Sequence, residues 1–302
     1  RLSVASATAN AYVTLLALDD RLALARRTAE TRKGSRDLIK RRVDVGYSPK
    51  LELQQAEVDY QAALVLVPAL EQARAKAENA LSVLAGRVPG PVERAAGLAA
   101  LTKPPVPEAL PSQLLRRRPD IAQAEYQLAA TDSNLAAARK RFLPSLRLSA
   151  SAGVAFSNLL ANPVGLWSIG GSILAPLFEG GRLRAGAKVA GAQRDAAAFG
   201  YRKAALTAFR EVNDALAAVD GLDRQVAIQT AQRDALAEAY RLSSNRYREG
   251  YSPLLEQLDT QRGLLSAELA LIQARADALN ARVSLYQALG GGWSAADMQG
   301  AH

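Results

Sequence analysis

The tetrapeptide Gly-Tyr-Ser-Pro occurs twice, at 46–49 and at 250–253, each time between two long helical stretches. The match extends in both directions at a constant offset of 204 positions. Leu51 and Glu52 fall on Leu255 and Glu256, Ala63 on Ala267, Leu81 on Leu285 and Gly86 on Gly290. Upstream, Leu38 falls on Leu242, Arg42 on Arg246, and Leu18-Asp19 on Leu222-Asp223. The chain is therefore an internal duplication of a helix, tight turn, helix unit. Any fold must hold two such hairpins in related ways.

Periodicity supports long helices. Val4, Thr8, Ala11, Leu15, Leu18, Leu22 and Ala25 recur at three- and four-residue spacing, giving one helix to about residue 45. Gly46 stops it and Ser48-Pro49 permit a new start. A second helix is expected over about 51–84, bent at Pro68, because an interior proline costs about 3 kcal/mol. After the Glu-Gly-Gly at 179–181 a helical pattern runs from 182 to about 249, weakly interrupted at Gly221. At about 1.5 Å per residue that is on the order of 100 Å, which calls for a bundle, a coiled coil or a helical barrel. In the last helix Leu264, Leu271, Ala278 and Leu285 each stand three residues before an alanine, a coiled-coil seam with close packing. A neighbouring apolar row, Leu258, Leu265, Ile272, Leu279 and Tyr286, widens the band. One seam serves a two-stranded coiled coil; two serve a helix in a barrel wall.

Two stretches break the helical rhythm. Residues 87–111 hold six of the 13 prolines and read as an irregular linker packed along something else. Residues 144–178 alternate with period two. Leu146, Leu148, Ala150, Ala152, Val154 and Phe156 take one face of a first strand; Trp167, Ile169, Gly171, Ile173, Ala175 and Leu177 take one face of a second. Small and polar residues take the other faces. Each strand has the length of a tilted membrane-spanning strand, although a hairpin on a soluble sheet fits the same pattern. A lone hairpin is marginal in water, so these strands must pair with others. The first copy lacks a counterpart of residues 119–204, and a further segment of about 85 residues is expected upstream of Arg1.

Composition narrows the function. There is no cysteine, and the one histidine is His302. Thiolate and histidine metal sites are excluded, and no cofactor is implied. The formal charge of +9 raises nucleic acid, anionic membrane or acidic partners. The basic residues are spread along the helices, with clusters that include 26–27, 40–42, 116–118 and 139–141 and no nucleic-acid module. A basic coiled-coil scaffold is the alternative, but it explains neither the hairpin nor the repeat. The stretch GGRLRAGAK is not a phosphate loop, because Ala187 separates Gly186 from Lys188 and Val189 follows. An enzyme is not expected.

The stretches RRRPDIAQAE, FLPSLRLSASAG, LFEGGRLRA, AFREVNDALA, RYREGYSPLLEQLDTQR and YQALGGGW resemble the outer-membrane factors, the TolC-like channels, and within them the lipoprotein branch of tripartite efflux systems. The resemblance implies a mainly α fold with a β-hairpin. Three protomers would build a long coiled-coil α-barrel in the periplasm, joined to a transmembrane β-barrel in the outer membrane of a Gram-negative bacterium. It divides the chain into a first helical-hairpin repeat (1–86), a Pro-rich equatorial linker (87–118), a helix (119–143), a transmembrane hairpin (144–178), a second helical-hairpin repeat (179–290) and a tail (291–302). The implied partners are two further copies, outer-membrane lipid, a periplasmic adaptor and an inner-membrane pump. The channel would be a passive exit duct for small molecules.

The same resemblance assigns the tips. Val45, Gly46 and Tyr47 with Glu249, Gly250 and Tyr251 correspond to adaptor-contacting turns. Tyr247, Glu256, Asp259 and Glu52 correspond to a periplasmic gate, which Arg246, Arg248 or Arg262 could hold shut. The family often carries a basic residue just after the turn glycine, where this chain has Ser252. Three-fold symmetry would turn each carboxylate into a ring that favours cations. Alternatively, Glu256 and Asp259 merely favour a helix N-terminus. Gly250 is expected at positive φ.

Overall fold

A computed structural model describes residues 2–106, 118–155 and 163–291. The end of the linker, Arg116, Arg117, Phe156, the loop that follows it and the tail with His302 lie outside the described residues. The elements in order are α1 (Leu2–Asp44), α2 (Lys50–Leu64), α3 (Leu66–Leu84), a 3₁₀ turn (Leu98–Ala100), α4 (Pro119–Lys140), β1 (Ser145–Ala155), β2 (Val164–Leu174), α5 (Arg182–Arg248) and α6 (Leu254–Ala288). Among the described residues no helix is long and apolar enough to cross a membrane.

The chain divides into two compact units, Arg1–Leu114 with Phe209–His302, and Leu115–Ala208. In the first, α1 packs on α2, α3 and α6. Leu22 and Ala25 meet Leu70 of α3. Val13, Leu16 and Ala17 meet Ala276 and Leu279 of α6, with Leu98 of the linker added to the same cluster. Val212 and Val219 of α5 close on Ala281, Leu285 and Ala288. Alanine recurs at these contacts because helices that approach closely leave little room beyond Cβ. On α6 the alanine-rich seam from Ala267 to Ala288 is buried. Leu265, Ile272 and Tyr286 of the second apolar row are half-buried.

The proline acts as its chemistry requires. The helical hairpin's return arm is interrupted at Val65, three residues before Pro68. Pro68 has no N–H for the carbonyl of Leu64, and its ring crowds that carbonyl. Gly221, by contrast, leaves α5 continuous through its 67 residues. A mid-helix glycine costs only about 1 kcal/mol, and Val219 beside it is buried in a core cluster.

The linker is irregular but tied down. Its Arg94 donates to Asp19 of α1 (3.1 Å) and to Glu78 of α3 (2.6 Å). The Ala95 amide donates to the Tyr12 hydroxyl, and the Leu98 amide to Asp20. Gly97 has φ +100°, and a Cβ there would lie 2.3 Å from Asp20 Oδ1, so only glycine permits this approach. Farther along, Tyr286 of α6 donates its hydroxyl to the carbonyl of Pro105.

In the second unit Pro119 occupies the first turn of α4, and Arg118 at its cap binds Asp120 through two nitrogens. β1 and β2 form an antiparallel pair. The register sets Leu146 opposite Ile173, Ala150 opposite Ile169 and Ala152 opposite Trp167. Cross-strand partners share a face, so the two apolar rows coincide. Ser151 and Ser168 join by their hydroxyls on the other face (2.9 Å). Nearly every residue of both strands is exposed.

Candidate functional site

The two turns at the ends of α1 and α5 have one backbone design. Gly46 and Gly250 sit at φ 80° and 79°. The Tyr47 amide donates to the Arg42 carbonyl and the Gly46 amide to Val43; Tyr251 and Gly250 repeat this with Arg246 and Tyr247. These paired bonds satisfy the last carbonyls of each helix, and they require a left-handed residue at the glycine. The same pair of bonds recurs at Gly86 and Gly290. Pro49 and Pro253 then start α2 and α6 from extended conformations. The duplication is thus written at all four helix ends.

Around these turns the side chains of both copies meet. Ile39 and Ala56 of the first pack with Leu254 and Leu258 of the second, and Tyr247 covers them. The Tyr247 hydroxyl donates to Glu52 Oε2 (3.3 Å), across 195 positions of sequence. Burial raises the phenol's pKa, and the adjacent Glu52 charge adds to the rise. The Arg42 guanidinium lies over the Tyr247 ring. Arg246 reaches Glu256 at 3.6 Å, and Arg262 reaches Asp259 at 3.2 Å. Arg248 does not pair with these acids. It donates to the Ser244 carbonyl and to Asn245 Oδ1 of its own helix. Val45, Tyr47, Glu249 and Tyr251 project into solvent, with the two tyrosines 86 % and 78 % exposed.

The sequence reading missed the centre of this region. Arg32 and Asp59 are 4 % and 2 % exposed and form an ion pair at 3.0 Å. Arg32 also donates to the Asp59 carbonyl, and Arg262 of α6 adds a bond to Asp59 Oδ1 (2.8 Å). Burial pushes the Arg32 pKa down, Asp59 opposes the fall and Arg262 adds to it. A signal was present. Arg32 interrupts the buried row Leu22, Ala25, Ala29, Ile39, and Asp59 stands between Ala56 and Ala63. Charges in an apolar stripe demand partners. Among the described residues no group of three His, Cys, Asp or Glu could hold a metal.

Long repeated helical hairpins with glycine-closed tips, joined in sequence to an exposed strand pair, define a mainly helical class of fold that carries a β-hairpin. Residues 1–87 and 110–291 match the outer membrane efflux protein family, and the chain belongs to that family. It is 37 % identical over 297 residues to the toluene efflux pump outer membrane protein TtgC of Pseudomonas putida, covering 97 % of this chain and 61 % of that protein. It is 38 % identical over 307 residues to the pyoverdine export outer membrane protein OpmQ of Pseudomonas aeruginosa, covering 99 % and 63 %. The crystal structure of the open state of the Neisseria gonorrhoeae MtrE outer membrane channel superposes with a TM-score of 0.86 at 31 % identity, covering 96 % of this chain and 66 % of that one. The chain therefore spans somewhat over three fifths of its curated relatives.

Proposed function

We propose that this chain forms wall, closed end and part of the membrane barrel of an outer-membrane efflux channel in a tripartite system. The observation that carries the reading is the hairpin. Its register brings two apolar rows onto one face, and both faces are left uncovered. Eleven-residue strands with that alternation suit a tilted barrel strand in lipid, closed by strands from further segments or copies. Three copies would complete the barrel and a periplasmic tube of paired helical hairpins. The relatives' names, which include toluene efflux and pyoverdine export, support a duct for small molecules. Transport needs no chemistry from this chain. Lipid attachment, as in the lipoprotein branch, is checked by the mass of the mature full-length protein.

In this reading the tips close the tube. Tyr247–Glu52 ties the two hairpins of one protomer, while Arg246–Glu256 and Arg262–Asp259 hold acids that three-fold symmetry arranges as rings. The exposed turns at 45–47 and 249–251 face a periplasmic adaptor, which links the tube to an inner-membrane pump. A relative solved in an open state supports a tip that moves. The test is conductance of the full-length protein in planar bilayers. Replacing Glu256 and Asp259 by alanine should weaken block by multivalent cations. Unchanged block contradicts the acidic rings, and absence of any pore contradicts the channel.

A further inference from the structure

Between the tips of the two helical hairpins lies a cavity of about 220 Å³, walled by α1, α2, α5 and α6. It is below the range of drug-sized sites, about 300–1,000 Å³. Its lining includes three guanidinium side chains, Arg32, Arg42 and Arg248, and one carboxylate, Asp59. That carboxylate is shared, because Arg262 binds it from outside the cavity. Arg42 and Arg248 make no ion pair among the described residues.

The imbalance follows from the repeat. Arg246 pairs with Glu256 in the second copy. The same pair in the first copy would be Arg42 with Glu52, but Glu52 accepts the Tyr247 hydroxyl instead. Arg42 is left turned over the Tyr247 ring without a carboxylate. Deeper in, Arg32 Nη2 and Ser244 Oγ are buried with no hydrogen-bond partner. Their residues, both over nine-tenths buried, line the same cavity. A buried donor without an acceptor costs about 1–3 kcal/mol, and more when charged. The tyrosine and glutamine side chains of the lining can donate as well. Gln257 Oε1 in the lining is an acceptor also left without a partner. The excess is therefore one of charge, three guanidinium groups to one carboxylate, and guanidinium forks match oxyanion geometry.

We propose that this cavity binds a small oxyanion, of which inorganic phosphate and sulfate are the type ligands. The bound ion bridges α1 and the end of α5, so it braces the two hairpins in the closed arrangement. The bracing role rests on the gate reading above; the binding site does not.

Calorimetry on the detergent-purified full-length protein separates the two. Phosphate and acetate are titrated against chloride at matched ionic strength. Saturable phosphate binding is expected, weakened about tenfold by Arg42→Gln. Arg41→Gln removes the same charge from an exposed neighbour outside the lining and should leave binding unchanged. Ser244→Ala provides a second variant, with about threefold weakening. A stronger acetate signal reassigns the ligand to a carboxylate. No heat beyond that of chloride, or phosphate binding to Arg42→Gln as tight as to the parent, overturns the site. Single-channel recording then tests the brace: phosphate should lower open probability in the parent and not in Arg42→Gln. Binding without that effect overturns the bracing role alone. Failure of Tyr247→Phe to open the pore would count against the gate and leave the ion site standing.

Discussion

The two helical hairpins share a backbone and differ in what fills it. Two positions in the first copy, 39 and 56, carry Ile39 and Ala56, both buried in an apolar cluster. Their counterparts 204 residues on are Ser243 and Thr260, whose hydroxyls bond at 2.6 Å. Farther from the tip, at positions 32 and 59, the pattern inverts. The first copy places Arg32 against Asp59; the second places Leu236 against Gly263, where a Cβ would sit 3.3 Å from Leu236 Cδ2. Each copy therefore has one polar and one apolar layer, in opposite order. Lower still, Arg94 of the linker bridges Asp19 and Glu78. The matching positions are Asp223 and Arg282, which pair directly. The linker serves as the missing cation in one copy and adds only Lys103, at 3.7 Å, to the other. Duplication preserved the helix ends, where backbone geometry permits few residues. It released the interhelical layers, where any complementary pair suffices.

This contrast sets the order of predicted effects. Asp59→Ala strips the partner from a buried guanidinium and should cost about 3–5 kcal/mol, read as a loss of thermal stability. Gly263→Ala at the equivalent site meets only a flexible leucine tip and should cost far less. Grafting the second copy's layer into the first, Arg32→Leu with Asp59→Gly, should recover most of the loss, since buried pairs often break even against apolar ones. A double variant as unstable as Asp59→Ala would mean the two layers are not interchangeable. Next come the turns. Gly46→Val and Gly250→Val should each cost about 1–3 kcal/mol from the left-handed conformation, and nearly equally, because their φ angles agree. An adaptor cross-link at Tyr251 should weaken with Gly250→Val. A smaller effect is expected for Tyr247→Phe, about 0.5–1.5 kcal/mol, with a rise in open probability in bilayers.

The smallest effect concerns acid. The Asp223 carboxyl is held below the ordinary carboxylate range, first by the hydrogen bond from Arg282, with burial opposing. A depressed folded-state pKa stabilises fully above the unfolded value of about 3.9. That contribution is lost as pH falls through the lower folded value. Asp223→Asn should therefore flatten the acid side of the melting curve below about pH 4, by a small amount because the group is half-exposed. An unchanged acid limb would show the pair to be silent.

Much of the architecture was legible because its causes are local. Glycine, tyrosine, serine and proline in series spell a helix stop and restart, and period-two alternation marked β1 and β2. Pro68 also behaved as read. Gly221 did not break α5, because packing beside Val219 outweighs a weak propensity. The residues proposed for the gate were named through resemblance, and Arg248 turned out to bind its own helix. The Arg32–Asp59 pair escaped because it needs the register of two helices folded about Gly46, which no single-helix pattern contains. The +9 charge, spread along the chain, gave no hint that three guanidinium groups would meet one carboxylate in the tip cavity.

Electron microscopy of the detergent-extracted full-length protein, with subunits counted in projection, bears most directly on a tube built from both copies. A three-fold tube well over about 100 Å long, its wall made of alternating first and second hairpins, is the predicted result. Particles without rotational symmetry, from protein that salt alone releases from the membrane, would contradict it.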